Sequence, residues 1–163
     1  MKHIEDTPWW ICDPEETNYC TYSDTDSIYM HAEPLLRHRH NDFDEMNAEE
    51  KDDALETIAM EYEDVVTKSY DKLAKDVFRS TEHRLEMKTE CVIRSAYFRA
   101  TRRYAQWITK QEGIKKETLD VKGLEFKKAN FPPVLGEFFK NALVDVLKGA
   151  TQKEIDDRLK IFK

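Results

Sequence analysis

Glycine is scarce in this chain, with four residues in 163, and no internal repeat or low-complexity segment occurs. Set beside abundant charge and periodic apolar stretches, that scarcity excludes a disordered polypeptide and predicts an ordered one of one domain or a piece of a larger one. Cysteine is scarce too. Cys12, Cys20 and Cys91 are odd in number and lack metal-ligand spacing, so they read as reduced thiols of an intracellular protein. No apolar run approaches the length of a membrane span, and the N-terminal residues form no signal-peptide core, so a soluble, cytoplasmic protein without a membrane partner is expected. There is no Gly-x-Ser-x-Gly elbow, no Walker-type phosphate loop and no Cys/His nucleophile pair, which removes several common enzyme classes.

Positive charge is short in one half only. Residues 1–82 hold 8 Lys or Arg against 22 Asp or Glu, a net of −14, whereas residues 83–163 hold 18 against 11, a net of +7. A basic half suits contact with phosphate, and an acidic half suits a cation site and solvated surface.

Local patterning gives an α+β fold. Residues 1–17, with Pro8, Trp9, Trp10 and Pro14, have no period and read as a leader. A hairpin follows at about 18–32, then an acidic loop through Asp44. Asn47 with Glu50 forms a capping-box start, and Leu55, Ile58, Tyr62, Val65, Val66, Ser69, Leu73 and Val77 keep helical spacing on one face. The expected long helix covers one side of a sheet and leaves its Asp, Glu and Lys face solvated. Strands are expected at 85–88, 91–93 and 119–126, with 96–99 and 103–109 forming either a hairpin or one bent strand, and a turn at Gly113. Pro132-Pro133 precedes a helical run through Leu147, Gly149 closes it, and Thr151 with Glu154 opens a last short helix.

The segment with the most chemistry is Tyr22-Ser23-Asp24-Thr25-Asp26-Ser27, set between strand-forming flanks. A hairpin there lifts two carboxylates to its tip, where like charges repel unless a cation or a proton relieves them. Hard cations such as Mg²⁺ take one or two protein carboxylates together with substrate phosphates. His31, His38 and His40 with Asp42 and Asp44 lack paired-ligand spacing and read as solvated groups.

Tyr-x-Asp-Thr-Asp-Ser resembles the palm-domain C motif of family B DNA polymerases, which usually has Gly where Ser23 stands. Thr101-Arg102-Arg103-Tyr104-Ala105 is similar to the family's Lys-Lys-Arg-Tyr-Ala motif, and Val121-Lys122-Gly123-Leu124-Glu125 to a Lys-Gly-hydrophobic-Glu strand that follows it. The resemblance spans about residues 18–148 and keeps the family order. It implies a palm-type antiparallel sheet with a catalytic hairpin over 18–128 and the helical base of a thumb over 129–163. It implies Asp26 as the firmest Mg²⁺ ligand with Asp24 in support, both in the catalytic centre of two-metal nucleotidyl transfer. It also implies nucleic-acid contact by Tyr22, Ser27, Arg102, Arg103, Tyr104 and Lys122. The partners it implies are primer–template DNA and a deoxynucleoside triphosphate. The family's A motif (Asp-x-x-Ser-Leu-Tyr-Pro) and its fingers motif (Lys-x₃-Asn-Ser-x-Tyr-Gly) do not occur in these residues. A companion chain carrying the A motif and fingers, with or without an exonuclease, is therefore expected, as in a split polymerase of viral type. Thr101 replaces a lysine and Ser23 a glycine; with the net acidity they leave open the alternative of a non-catalytic DNA-binding or scaffolding remnant.

Overall fold

A computed structural model describes residues 19–127 and 130–162; the expected leader, including Trp9 and Trp10, lies outside the described residues. Mixed α+β structure is observed, with two small antiparallel sheets and four α-helices among those residues. The chain divides into two compact units at the Glu90–Cys91 junction. That junction nearly coincides with the charge reversal: residues 1–90 carry 10 Lys or Arg against 24 Asp or Glu, and residues 91–163 carry 16 against 9.

In the first unit β1 (Cys20–Asp24) and β2 (Ser27–Met30) form the expected hairpin. The acidic loop expected next instead contains a helix, α1 (Glu33–Arg39). Pro34 in its first turn pre-sets the backbone, Glu33 sits at the positive end of the helix dipole, and Arg37, His38 and Arg39 sit at the negative end. With only Leu35 and Leu36 apolar and buried, the helix is too short to show a period. Both leucines join Phe43 and Ile58 in a small core edged by Met46, Ala54 and Leu55. The Phe43 ring lies between the Arg37 guanidinium at 4.2 Å and the Lys51 ammonium at 4.5 Å.

The long helix α2 (Ala48–Asp76) starts as expected: the Asn47 side chain accepts from the Glu49 and Glu50 amides at 2.9 and 3.0 Å, and the Asn47 amide donates to Glu50 Oε2 at 2.7 Å. The strand expected at 85–88 does not form, and 82–90 has no regular secondary structure. Its amides find partners on α2 instead. Met87 N–H donates to Thr67 Oγ1 at 3.3 Å, Thr89 N–H donates to Glu63 Oε2 at 2.7 Å, and the His83 ring meets Asp71 Oδ1 at 2.9 Å. Residues 63, 67 and 71 are one helical turn apart, so they form a single stripe along which the chain lies. The polar face of α2 expected to be merely solvated thus holds a strap.

The second unit is a meander of β3 (Cys91–Ala100), β4 (Arg103–Gln111) and β5 (Ile114–Lys122) in that spatial order. Between 96 and 109 the chain is a hairpin rather than a bent strand, turning at Thr101-Arg102. The second turn, Glu112-Gly113, has φ of 50° and 76°, the pair of left-handed residues that fits the twist of a two-residue hairpin. β5 begins at Ile114, earlier than expected, because it starts directly from that turn. It ends at Lys122, because Gly123 turns away with φ +64° into a 3₁₀ turn at Glu125–Lys127.

Then come α3 (Pro133–Leu147) and α4 (Gln152–Phe162), close to expectation. α3 lays Leu143, Val144 and Leu147 on Ala105, Trp107, Leu119 and Val121 of the sheet. The Lys148 ammonium sits 4.3 Å from the Trp107 ring centroid, and the Ser95 hydroxyl donates to the Leu147 carbonyl. An ion pair between Arg158 and Asp145 and contact of the Phe162 and Phe138 rings join α4 to α3. Thr151 and Glu154 cap α4 reciprocally, and the Thr151 amide and hydroxyl hold the exposed Glu154 carboxyl below the usual carboxylate range. Among the described residues no helix is long and apolar enough to cross a membrane.

Candidate metal and nucleic-acid sites

The β1–β2 register pairs Tyr22 with Tyr29, Ser23 with Ile28 and Asp24 with Ser27, leaving Thr25 and Asp26 as the turn. Asp24 is half-buried at the strand end, and Asp26 is exposed at the apex. The Asp26 amide donates to the Asp24 carbonyl at 2.6 Å, a three-residue turn closed around Thr25. Thr25 has φ +49°, a left-handed conformation that a β-branched residue rarely adopts. Its hydroxyl donates to Asp24 Oδ1 at 3.2 Å, and the Ser27 hydroxyl donates to the Asp24 carbonyl at 3.1 Å. The Tyr22 and Tyr29 rings lie 5.4 Å apart and brace the stem. On α2, burial first and the charge of Cys20 second push the Tyr62 hydroxyl above its ordinary pKa. An exposed carboxylate at the apex and a half-buried one at the adjoining strand end are hard oxygen donors of the kind Mg²⁺ takes, with several waters or substrate oxygens as further ligands. Among the described residues no three His, Cys, Asp or Glu side chains are grouped to hold a metal ion.

The second unit brings two of the sequence segments together. Tyr104 at the start of β4 lies directly opposite Lys122 at the end of β5, and Lys122 Nζ is 5.8 Å from the Tyr104 ring centroid. Arg102 and Arg103 are exposed at the same end of the sheet, Arg102 in the β3–β4 turn with φ +60°. Gly123 packs on this turn: a Cβ there would lie 2.2 Å from the Arg102 carbonyl oxygen. The space left by the missing side chain at Gly123 is thus taken up by the protein's own backbone. Tyr104 is 4% exposed, its ring 5.6 Å from that of Phe98. That burial leaves Tyr104 little surface to offer a nucleic acid and gives its ring a packing role beneath Lys122. Asp24 and Asp26 belong to the first unit, and Arg102, Arg103, Tyr104 and Lys122 to the second.

Sequence reasoning missed Phe98 and the next cross-strand pair on the same sheet face, Gln106 with Asp120. Gln106 Nε2 donates to Asp120 Oδ2 at 2.9 Å, while the buried Gln106 Oε1 has no partner among the described residues. Strand register alone would have found both, and that register depends on bulges that the sequence does not signal.

No protein-family model matches the chain and no curated protein matches it, so the likeness to family B polymerases rests on the three short segments.

Proposed function

We propose that the chain is the palm and thumb-base part of a split family B DNA-directed DNA polymerase, inactive alone and completed by a companion chain that brings the A-motif aspartate and the nucleotide-binding fingers. The observation that carries this reading is the register of the second sheet. Segments 101–105 and 121–125, each similar to a family motif, are neighbours there, with Tyr104 opposite Lys122 and Gly123 against Arg102. In this reading the first unit and the sheet of the second belong to a palm-type fold, α2 is its covering helix, and α3 with α4 forms the base of the thumb.

Asp26 and Asp24 would hold Mg²⁺ at the hairpin apex, with the remaining ligands drawn from the companion chain and the triphosphate. The bound ions would supply neutralisation of the triphosphate and activation of the primer 3′-hydroxyl. Tyr22 and Ser27 flank the apex where the primer end would lie. Arg102, Arg103 and Lys122 would neutralise backbone phosphates of the primer–template duplex, a contact that fixes register without reading sequence. Arginine suits this role because its planar fork meets two phosphate oxygens at once.

The test is primer extension in Mg²⁺ by this chain mixed with a companion bearing the missing motifs. Extension should require both chains and fall at least a hundredfold in Asp26→Ala, the order of loss expected when a main source of electrostatic stabilisation is removed. A stable two-chain complex that never extends a primer would sink the catalytic reading and leave a non-catalytic DNA-binding or scaffolding module.

A further inference from the structure

Gly123 and Arg102 face each other in left-handed backbone conformations, φ +64° and +60°. The built contact is tight: besides the 2.2 Å approach to the Arg102 carbonyl oxygen, a Cβ at position 123 would meet Arg103 Cγ at 3.1 Å. Only glycine both adopts that φ without strain and leaves room for the turn. A left-handed arginine persists where its surroundings over-determine it, and the exit of β5 across its carbonyl does so here. On the other side of this contact, Lys122 is held over the Tyr104 ring, within the distance at which an ammonium is attracted to an aromatic face. Phe98 in turn packs on Tyr104.

From these contacts we infer that Gly123 and Tyr104 are positioning residues that join Arg102, Arg103 and Lys122 into one preorganised clamp for the phosphate backbone of duplex DNA. The inference rests on the duplex-binding reading above and adds to it a reason why three cations on two hairpins act as a unit. Flexible cationic side chains lose entropy when they are fixed on a ligand, and a scaffold that fixes their backbones beforehand lowers that loss. Neither positioning residue needs to touch DNA. The Gly123 slot is filled by protein, and Tyr104 is buried.

The experiment is fluorescence-anisotropy titration of a short blunt DNA duplex with the full chain across a salt series. Arg102→Gln and Lys122→Gln should each weaken binding about tenfold near 0.1 M salt and lower the salt slope by about one. Gly123→Ala changes no charge, yet should weaken binding to the same degree and have no further effect in the Arg102→Gln background. Tyr104→Leu is the second arm, which decides the matter if Gly123→Ala fails to fold by the Trp107-bearing sheet's near-ultraviolet circular dichroism. It should weaken binding in the parent chain and not in Lys122→Gln. Parent-like affinity in folded Gly123→Ala, or full additivity in either double variant, overturns the positioning role while leaving the duplex reading intact. No duplex binding by the parent chain, or none of it lost in Arg102→Gln and Lys122→Gln, overturns both together.

Discussion

Thr25 occupies the least comfortable backbone position in the hairpin, a branched side chain at φ +49° between the two carboxylates. Left-handed backbone costs an ordinary residue roughly 1–2 kcal/mol, and the exposed hydroxyl bond to Asp24 returns only part of that. Thr25→Gly should therefore raise stability by about 0.5–1 kcal/mol, read as a higher urea midpoint with an unchanged slope. A lower midpoint would show that the Thr25 hydroxyl bond outweighs the strain. At this scale the sequence was legible where a residue's partners are its near neighbours, as in the Asn47 cap or the placing of Asp24 and Asp26 at a hairpin end. It was illegible where the reason for a residue is another, distant stretch of backbone. Gly123 was recognised as a small residue in a motif, but nothing in the string 121–125 says that the Arg102 carbonyl fills its place.

Elements were legible by their periodicity and their stops, and they failed where partners lay elsewhere in the chain. The long helix, the first hairpin and α3 follow from spacing and capping residues. Two register shifts could not be read. A regular pairing outward from the Thr101-Arg102 turn would set Tyr104 opposite Arg99, and the shift between Phe98 and Ala100 brings Phe98 there instead. A second shift between Ile108 and Lys110 likewise brings Lys122, not Val121, opposite Tyr104. The row Phe98–Tyr104–Lys122 is therefore made by bulges, which re-aim side chains at the expense of regular pairing. The strap over 83–89 escaped for a related reason: its alternating pattern resembles a strand, but its amides are taken by helix side chains. Those amide bonds are single and part-buried, worth about 1 kcal/mol each. Thr67→Val should accelerate hydrogen exchange of the Met87 amide about fivefold, and Glu63→Ala that of Thr89, with α2 amides unchanged. Unchanged exchange at Met87 and Thr89 would refute the strap. At α4 the lowered Glu154 pKa means that the capping contribution is full above the ordinary carboxylate value and is lost as pH falls through the lowered one. The Thr151 amide resonance should report that step in acid, and Glu154→Gln should abolish it.

Over the whole molecule, the α+β class and the asymmetry of charge were both legible from the sequence, but the unit boundary was not. It falls at Glu90–Cys91, inside what read as a continuous run of strands, because contact between distant residues and not local composition defines a compact unit. The sequence isoelectric point of about 5.3 consequently describes neither part. Near neutral pH a cut at that junction would release two polypeptides that migrate toward opposite electrodes. The heavier would be retained on an anion exchanger as the parent is, and the lighter, carrying every cation of the proposed clamp, would pass through to a cation exchanger.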